Sequence, residues 1–303
     1  MGSLMLAAVL QIIGVPLLAL VTGVFFLGLY RKIMARIHWR YGPPLVQPVI
    51  DVMRLFSQRG LSHGLLFELG LVVSLAGSLV VVLFIPFAGW CPLRGSGGLL
   101  VILYLMLLMP LGMALSGGEA ANPHISIGIS RKLILALGYE VPLLLVLLSV
   151  MTHYRSISIV QVVRAQQDSA WGLFSWPLCL PGIAYLLTLP AILGVRPFDT
   201  TSAPQEISSG PMVEYSGKYL AFAHIQHALS LFVGIALFVD LFLGGAVHFL
   251  VFLAKMVVVF VLGVCVNAVF PRFRIEQAVA YLWKWPTALA FAGLVLTTIL
   301  APK

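Results

Sequence analysis

Long apolar runs separated by short polar segments dominate the chain. Eight runs approach or exceed the roughly 20 mostly apolar residues that a bilayer-crossing helix needs. They are Leu4–Tyr30, Leu65–Phe87, Gly98–Leu115, Leu133–Thr152, Leu173–Leu193, Tyr219–Leu243, Ala246–Phe270 and Tyr281–Ala301. Pro110, Pro142 and Pro190 fall inside these runs or near their ends, where neighbouring helices can satisfy the carbonyls that proline frees. One segment has a different character. After a helix break at Gly42-Pro43-Pro44, Val46, Val49, Ile50, Met53 and Phe56 recur at helical spacing, with Gln47, Asp51, Arg54 and Gln58 elsewhere. That pattern predicts an amphipathic helix in the membrane interface, its basic groups toward the headgroups. The expected fold is all-α: residues 1–303 as a single integral membrane domain with about eight transmembrane helices plus this interfacial one.

Composition agrees with the pattern. Of 303 residues, 61% are hydrophobic and only 9% charged, and the mean hydropathy is +1.06, which excludes both a water-soluble globule and a disordered chain. The first Lys or Arg is Arg31. No basic segment therefore precedes the first apolar run, which is expected to be a retained span rather than a signal peptide. Cys91, Cys179 and Cys265 lie far apart without metal-ligand spacing, so no metal or iron–sulfur site is expected on this chain.

Net charge is +8, and its distribution orients the bundle. The loops after spans one, three, five and seven, with Lys284 at the start of span eight, hold thirteen Lys and Arg. The opposite side holds Arg94, Arg155, Arg164 and Lys303, and Lys255 lies within a span. The positive-inside rule then places both termini outside and the basic loops in the cytoplasm, facing anionic lipid and partner proteins. Nucleic acid is not an expected partner.

Ionisable residues in and beside the apolar runs carry the candidate chemistry. Glu140 lies well inside a span, where an ionised carboxylate costs about 2.5–3.5 kcal/mol on insertion scales unless paired, hydrated or protonated. It reads either as a functional group or as a structural partner of a Lys or Arg from another span. The segment between spans five and six is the densest, with Arg196, Asp199, Glu206, Glu214 and Lys218; charges at a membrane boundary can exchange protons or seat a partner's basic surface. Lys255 is read as mid-span. Asp240 and His248 flank a tiny outward turn within reach of water. His224 and His227 share a helical face, but with no third ligand evident they read as polar contacts or a proton path. No dinucleotide fingerprint, phosphate loop or nucleophile elbow occurs.

Ordered blocks along the chain go further. Ala35-Arg36-Ile37 precedes Arg40-Tyr41-Gly42-Pro43, then Gln47 and Asp51, Gly128 with Ser130-Arg131, and Tyr139-Glu140-Val141-Pro142. Pro197-Phe198-Asp199 and Glu206 through Gly210 to Glu214-Tyr215-Ser216-Gly217 complete the series. Span for span, the chain resembles the NuoH family, the membrane-arm heel subunit of respiratory complex I, and its cousins in energy-converting membrane-bound [NiFe] hydrogenases and sulfur-reducing relatives. The resemblance implies a non-redox subunit with no cofactor of its own. Its implied partners are a NiFe-type large subunit, a small iron–sulfur subunit, antiporter-like membrane subunits and lipid, in the plasma membrane of a prokaryote. Mapped by motif, Glu140, Asp199, Glu206 and Glu214 form the expected coupling or proton path, to which the residue reading adds Lys255 as an ionisable group within a span. Arg36, Arg40, Asp51, Arg131 and Arg196 form the expected interface with the hydrophilic arm.

Two departures bear on the acceptor. The complex I pattern places two further acids before the glutamate matching Glu206, where this chain has Ser202 and Pro204, and Pro44 stands where complex I usually has Asn. The lost carboxylates fit a ferredoxin-oxidising hydrogenase or sulfur reductase, linking electron transfer to H⁺ or Na⁺ translocation, better than a quinone-coupled relay. A quinone-site subunit, a stand-alone cation transporter and a purely structural anchor are the competing readings.

Overall fold

The computed structural model describes residues 2–93, 97–119 and 122–300. Among them eleven α-helices appear: α1 (Gly2–Ile37), α2 (Gln47–Ser57), α3 (Leu65–Phe84), α4 (Leu99–Gly118), α5 (Pro123–Tyr154), α6 (Ile159–Asp168), α7 (Trp176–Leu193), α8 (Pro204–Ile207), α9 (Gly217–Phe242), α10 (Phe249–Val269) and α11 (Ile275–Leu300). Eight of these are long and apolar enough to cross a membrane, namely α1, α3, α4, α5, α7, α9, α10 and α11. The chain is an all-α polytopic bundle. Arg94 and Lys303, which entered the orientation argument, lie outside the described residues.

Helix α9 is the hub. Every residue from Leu231 to Phe242 is buried, with α1, α2, α3, α6, α7 and α10 packed around it. The tightest neighbours are α3 and α4, whose backbones touch. A Cβ on Gly70 would lie 2.2 Å from the Ser116 nitrogen, and one on Gly112 would lie 2.4 Å from the Ser74 nitrogen. Gly70–Ser74 and Gly112–Ser116 therefore form facing pairs of small residues four apart, the arrangement that lets helices approach closely in lipid. The Ser74 hydroxyl donates to the Met109 carbonyl at 2.8 Å.

Several helices run past the apolar segments read from sequence. Helix α1 continues through Arg31 and Arg36, and α5 begins at Pro123, so Arg131 and Lys132 stand on a helix rather than in a loop. Helix α11 starts at Ile275, ahead of the Tyr281 read from sequence, and within it Lys284 is stacked over the Trp285 ring at 5.2 Å, where a lysine can snorkel. Helix α6 was not anticipated; Ile159, Val162, Val163 and Gln166 form its buried face. Segments 38–64, 194–216 and 270–274 gather at one end of the bundle, the loop-rich end. The predicted amphipathic helix is α2, which leaves Val46, Val49, Ile50, Met53 and Phe56 exposed and sets Phe56 edge-on against Phe222 of α9 at 5.4 Å.

Candidate functional site

The loop between α7 and α9 is tied down from within before it presents any charge. Phe198 is 1% exposed and packs 5.7 Å from both Phe273 and Tyr281, while the Phe273 N–H donates to the Pro197 carbonyl at 2.9 Å. Gly128 explains its place in the motif series. A Cβ there would meet Pro211 at 2.8 Å and Thr201 O at 3.3 Å, so only a bare backbone lets this loop lie on α5. Gly210 has φ +56° and a Cβ direction 2.4 Å from Thr201 O, a double reason for glycine.

On this framework the loop's carboxylates find basic partners from other elements. Asp199 accepts from Arg272 Nη2 at 2.9 Å and from the Ser202 hydroxyl; both ion-pair side chains are mostly buried. Glu206 pairs with Arg131 Nη1 on α5 at 2.8 Å. Glu214 lies 3.3 Å from His63 Nε2 and accepts from Asn122 Nδ2 at 3.2 Å. The three acids proposed from sequence thus sit at one end of the bundle, each bridging to a different segment. Ser202, at one of the two positions where the resembled complex I pattern has an acid, donates to Asp199.

The residues expected at the arm interface divide. Asp51 on α2 accepts from Arg31 Nη1 at 2.8 Å and Gln47 Nε2 at 2.9 Å; the Arg31 hydrogen bond, then that of Gln47, holds its carboxyl below the ordinary aspartate value. Arg36 lies over the exposed Tyr41 ring at 5.0 Å, as does Lys32. Arg40 and Arg196 are exposed, and Arg196 is held through its backbone N–H, which donates to Asn267 Oδ1 at 2.8 Å. Trp39, beside Arg40, is 98% exposed. Burial pushes the Tyr215 phenol above its ordinary value.

Glu140 stands apart. It is half-buried on α5, beside a stripe of exposed Ile134, Leu137 and Val141, about 14 Å along the helix from Arg131 at 1.5 Å per residue. Lys255 also lies away from the acids, and it is not mid-span. As the seventh residue of α10 it donates to the carbonyls of Leu243 (2.7 Å) and Gly245 (2.5 Å) and lies 4.7 Å over the Trp171 ring. Its reach caps the α9–α10 turn at the far end of the bundle. Asp240, expected within reach of water, is fully buried behind that turn, because Gly245 packs against its carboxylate; His248 is exposed.

Sequence reasoning passed over three contacts that shape the site. Glu119 accepts from the first-turn Phe67 N–H at 2.6 Å, anchoring the start of α3 to the end of α4. Tyr219 donates to Glu68. Lys132, expected in a loop, is partly buried beside Met113. These contacts join distant positions, so no local pattern reveals them.

Comparison with known proteins decides the lineage. The family model described as NADH dehydrogenase matches residues 9–298. The chain belongs to the NADH dehydrogenase family. It is 30% identical over 99% of its length to the H subunit of the NADH-quinone oxidoreductase of Geobacillus kaustophilus (strain HTA426), covering 92% of that protein. With Hydrogenase-4 component C of Escherichia coli (strain K12) it shares 33% identity over 72% of this chain and 70% of that one. A chain in the structure of the membrane-bound sulfane sulfur reductase, an archaeal respiratory membrane complex, superposes with TM-score 0.92 at 37% identity, covering 96% of this chain and 99% of that one. The NADH dehydrogenase family thus includes members from quinone-, hydrogenase- and sulfur-linked systems, and this chain is a membrane subunit of that kind.

Proposed function

We propose that this chain is the membrane-anchoring and coupling subunit of an energy-converting, ferredoxin-oxidising complex of the membrane-bound hydrogenase or sulfur reductase type. It carries no redox centre of its own. Its loop-rich end faces the cytoplasm of a prokaryotic cell and seats the hydrophilic arm, a NiFe-type large subunit with a small iron–sulfur subunit. Antiporter-like membrane subunits adjoin it laterally, and both termini face outward.

One observation carries this reading: three loop carboxylates, Asp199, Glu206 and Glu214, are held at one end by Arg272, Arg131 and His63 from three other segments. Such an array responds as a unit when a docked redox partner changes charge, because each pair trades Coulomb attraction against hydration. Arg36, Arg40, Asp51 and Arg196, with exposed Trp39, form the adjoining docking rim. Glu140, without a hydrogen bond or ion pair among the described residues, needs a partner from outside the chain. A neighbouring membrane subunit on the Leu137–Val141 face would supply it and receive the bias. Ser202 in place of an acid favours an acceptor in the soluble arm over a quinone. The similarity to the NADH-quinone oxidoreductase protein of Geobacillus kaustophilus supports the quinone reading as the second choice.

The test is purification with native partners in mild detergent, followed by assays for nickel, ferredoxin-linked hydrogen evolution and sulfane sulfur reduction. Nickel with hydrogen evolution, or ferredoxin-driven sulfur reduction without nickel, is the expected result. Quinone reduction in their place selects the second reading, and a chain that purifies alone contradicts both.

A further inference from the structure

Two interior cavities lie side by side beneath the Asp199 loop. The first, of about 190 Å³, is bounded by α4, α5, α7 and α9 and lined by Lys132, Tyr139, Gln226, Ser230 and Thr201 among others. The second, of about 170 Å³, reaches Asp199, Tyr30 and Asn267. Three residues line both: Gly194, Ser202 and His227. Glycine has no side chain to offer and the Ser202 hydroxyl is committed to Asp199. His227 is the one titratable side chain on the shared wall.

We propose that His227 relays protons between the Asp199 cavity and the Lys132 cavity. This rests on the coupling function argued above and assigns that function a residue from neither the carboxylate array nor the family motif blocks quoted from the sequence. Each cavity greatly exceeds the roughly 10–15 Å³ that one water requires, and each is polar enough to hold it. A neutral imidazole accepts at one ring nitrogen while it donates from the other. A proton arriving through water from the Asp199 side is taken up at one nitrogen. The proton on the other nitrogen leaves to water in the Lys132 cavity, so no net charge is created and no co-reactant is consumed. The groups facing His227 bracket this transfer: Asp199 from the α7–α9 loop, Tyr30 from α1, Lys132 and Tyr139 from α5, and His224 from its own helix. Gln226 and Ser230, one residue before and one turn after it on α9, offer hydrogen bonds to water in the first cavity. The carboxylate relay is thinned here by Ser202 and Pro204, and an imidazole beside the same loop restores a proton-conducting group.

The experiment uses the complex with its native partners in sealed proteoliposomes, driven by reduced ferredoxin, with redox turnover and proton uptake recorded together. His227→Ala is expected to lower the rate of proton uptake by about 100-fold, the scale of a lost proton-transfer group. Added imidazole should restore uptake, and pyrrole, similar in size but with no basic nitrogen, should not. His248→Gln, exposed at the far end, should change nothing. Full pumping by His227→Ala overturns the proposal. So does recovery with pyrrole or in His227→Gln, which would make the side chain a spacer. Should His227→Ala fail to assemble, His227→Gln decides alone: it keeps a hydrogen-bonding side chain of similar reach, and full pumping by it overturns the relay. If the wild-type complex assembles and turns over without moving ions, the coupling function itself falls, a result distinct from all of these.

Discussion

Two ion pairs of the same chemistry should differ in worth because their surroundings differ. Arg272 and Asp199 are mostly buried, at 16% and 21% side-chain exposure. Arg272→Ala leaves a carboxylate without its cation beneath the loop and should cost up to about 3 kcal/mol. Asp199→Asn added to it should recover most of that loss, as thermal unfolding in detergent would show. Arg131–Glu206 is equally short, but Glu206 is 52% exposed, so Glu206→Gln should cost less than about 1 kcal/mol. Asp51 gives a pH dependence with a definite sign. Its carboxyl is held below its ordinary value, so the attachment of α2 to α1 is fully supported above the unfolded aspartate value near about 4 and is lost as pH falls through the depressed one. Hydrogen exchange of α2 should rise in acid in the wild type. In Asp51→Asn it should already be raised at neutral pH, and a flat, slow profile in both would show that the pair does not hold the helix.

At the scale of helices, the α3–α4 contact is the most sensitive to added volume. Gly112→Val must push apart two backbones already touching at Gly70 and Ser74. Overpacking of this kind costs typically about 1–3 kcal/mol, sometimes more, so the variant should unfold at lower temperature and lose protection along both helices. Gly118→Ala, at the end of the same helix with open space around it, should be neutral. The elements themselves were largely legible, because a span of about 20 apolar residues has few other solutions than a helix. Their ends were less so. Helices α1, α5 and α11 carry charged residues beyond the bilayer, where hydropathy falls but backbone hydrogen bonding continues, and α6 was missed because only its Ile159, Val162, Val163 and Gln166 stripe is buried. The acids of the α7–α9 loop were visible as a cluster. Their partners were not, since Arg131, Arg272 and His63 lie far along the chain, and a mid-span reading of Lys255 could not foresee that its four-carbon stem reaches back to the α9–α10 turn.

For the whole molecule, the proposed function assigns three duties. The α9-centred core would supply rigidity, the loop-rich end a charged platform for a partner, and Glu140 on the flank of α5 a titratable group facing sideways. In the proposed coupling, the hub's continuous burial from Leu231 to Phe242 would give a charge change at the platform a stiff support and pass it on through the polar interior beside it. A stand-alone transporter would instead be expected to break its helices at midplane. Here α9 and α10 run uninterrupted for 26 and 21 residues, and the three paired loop carboxylates gather at one end. The measurement that bears most directly on coupling is the number of ions moved per electron by the reconstituted complex carrying Glu140→Gln, set against the wild type at matched assembly. The coupling account predicts that ion movement collapses while uncoupler-treated electron transfer persists; an unchanged ratio would reduce this subunit to an anchor.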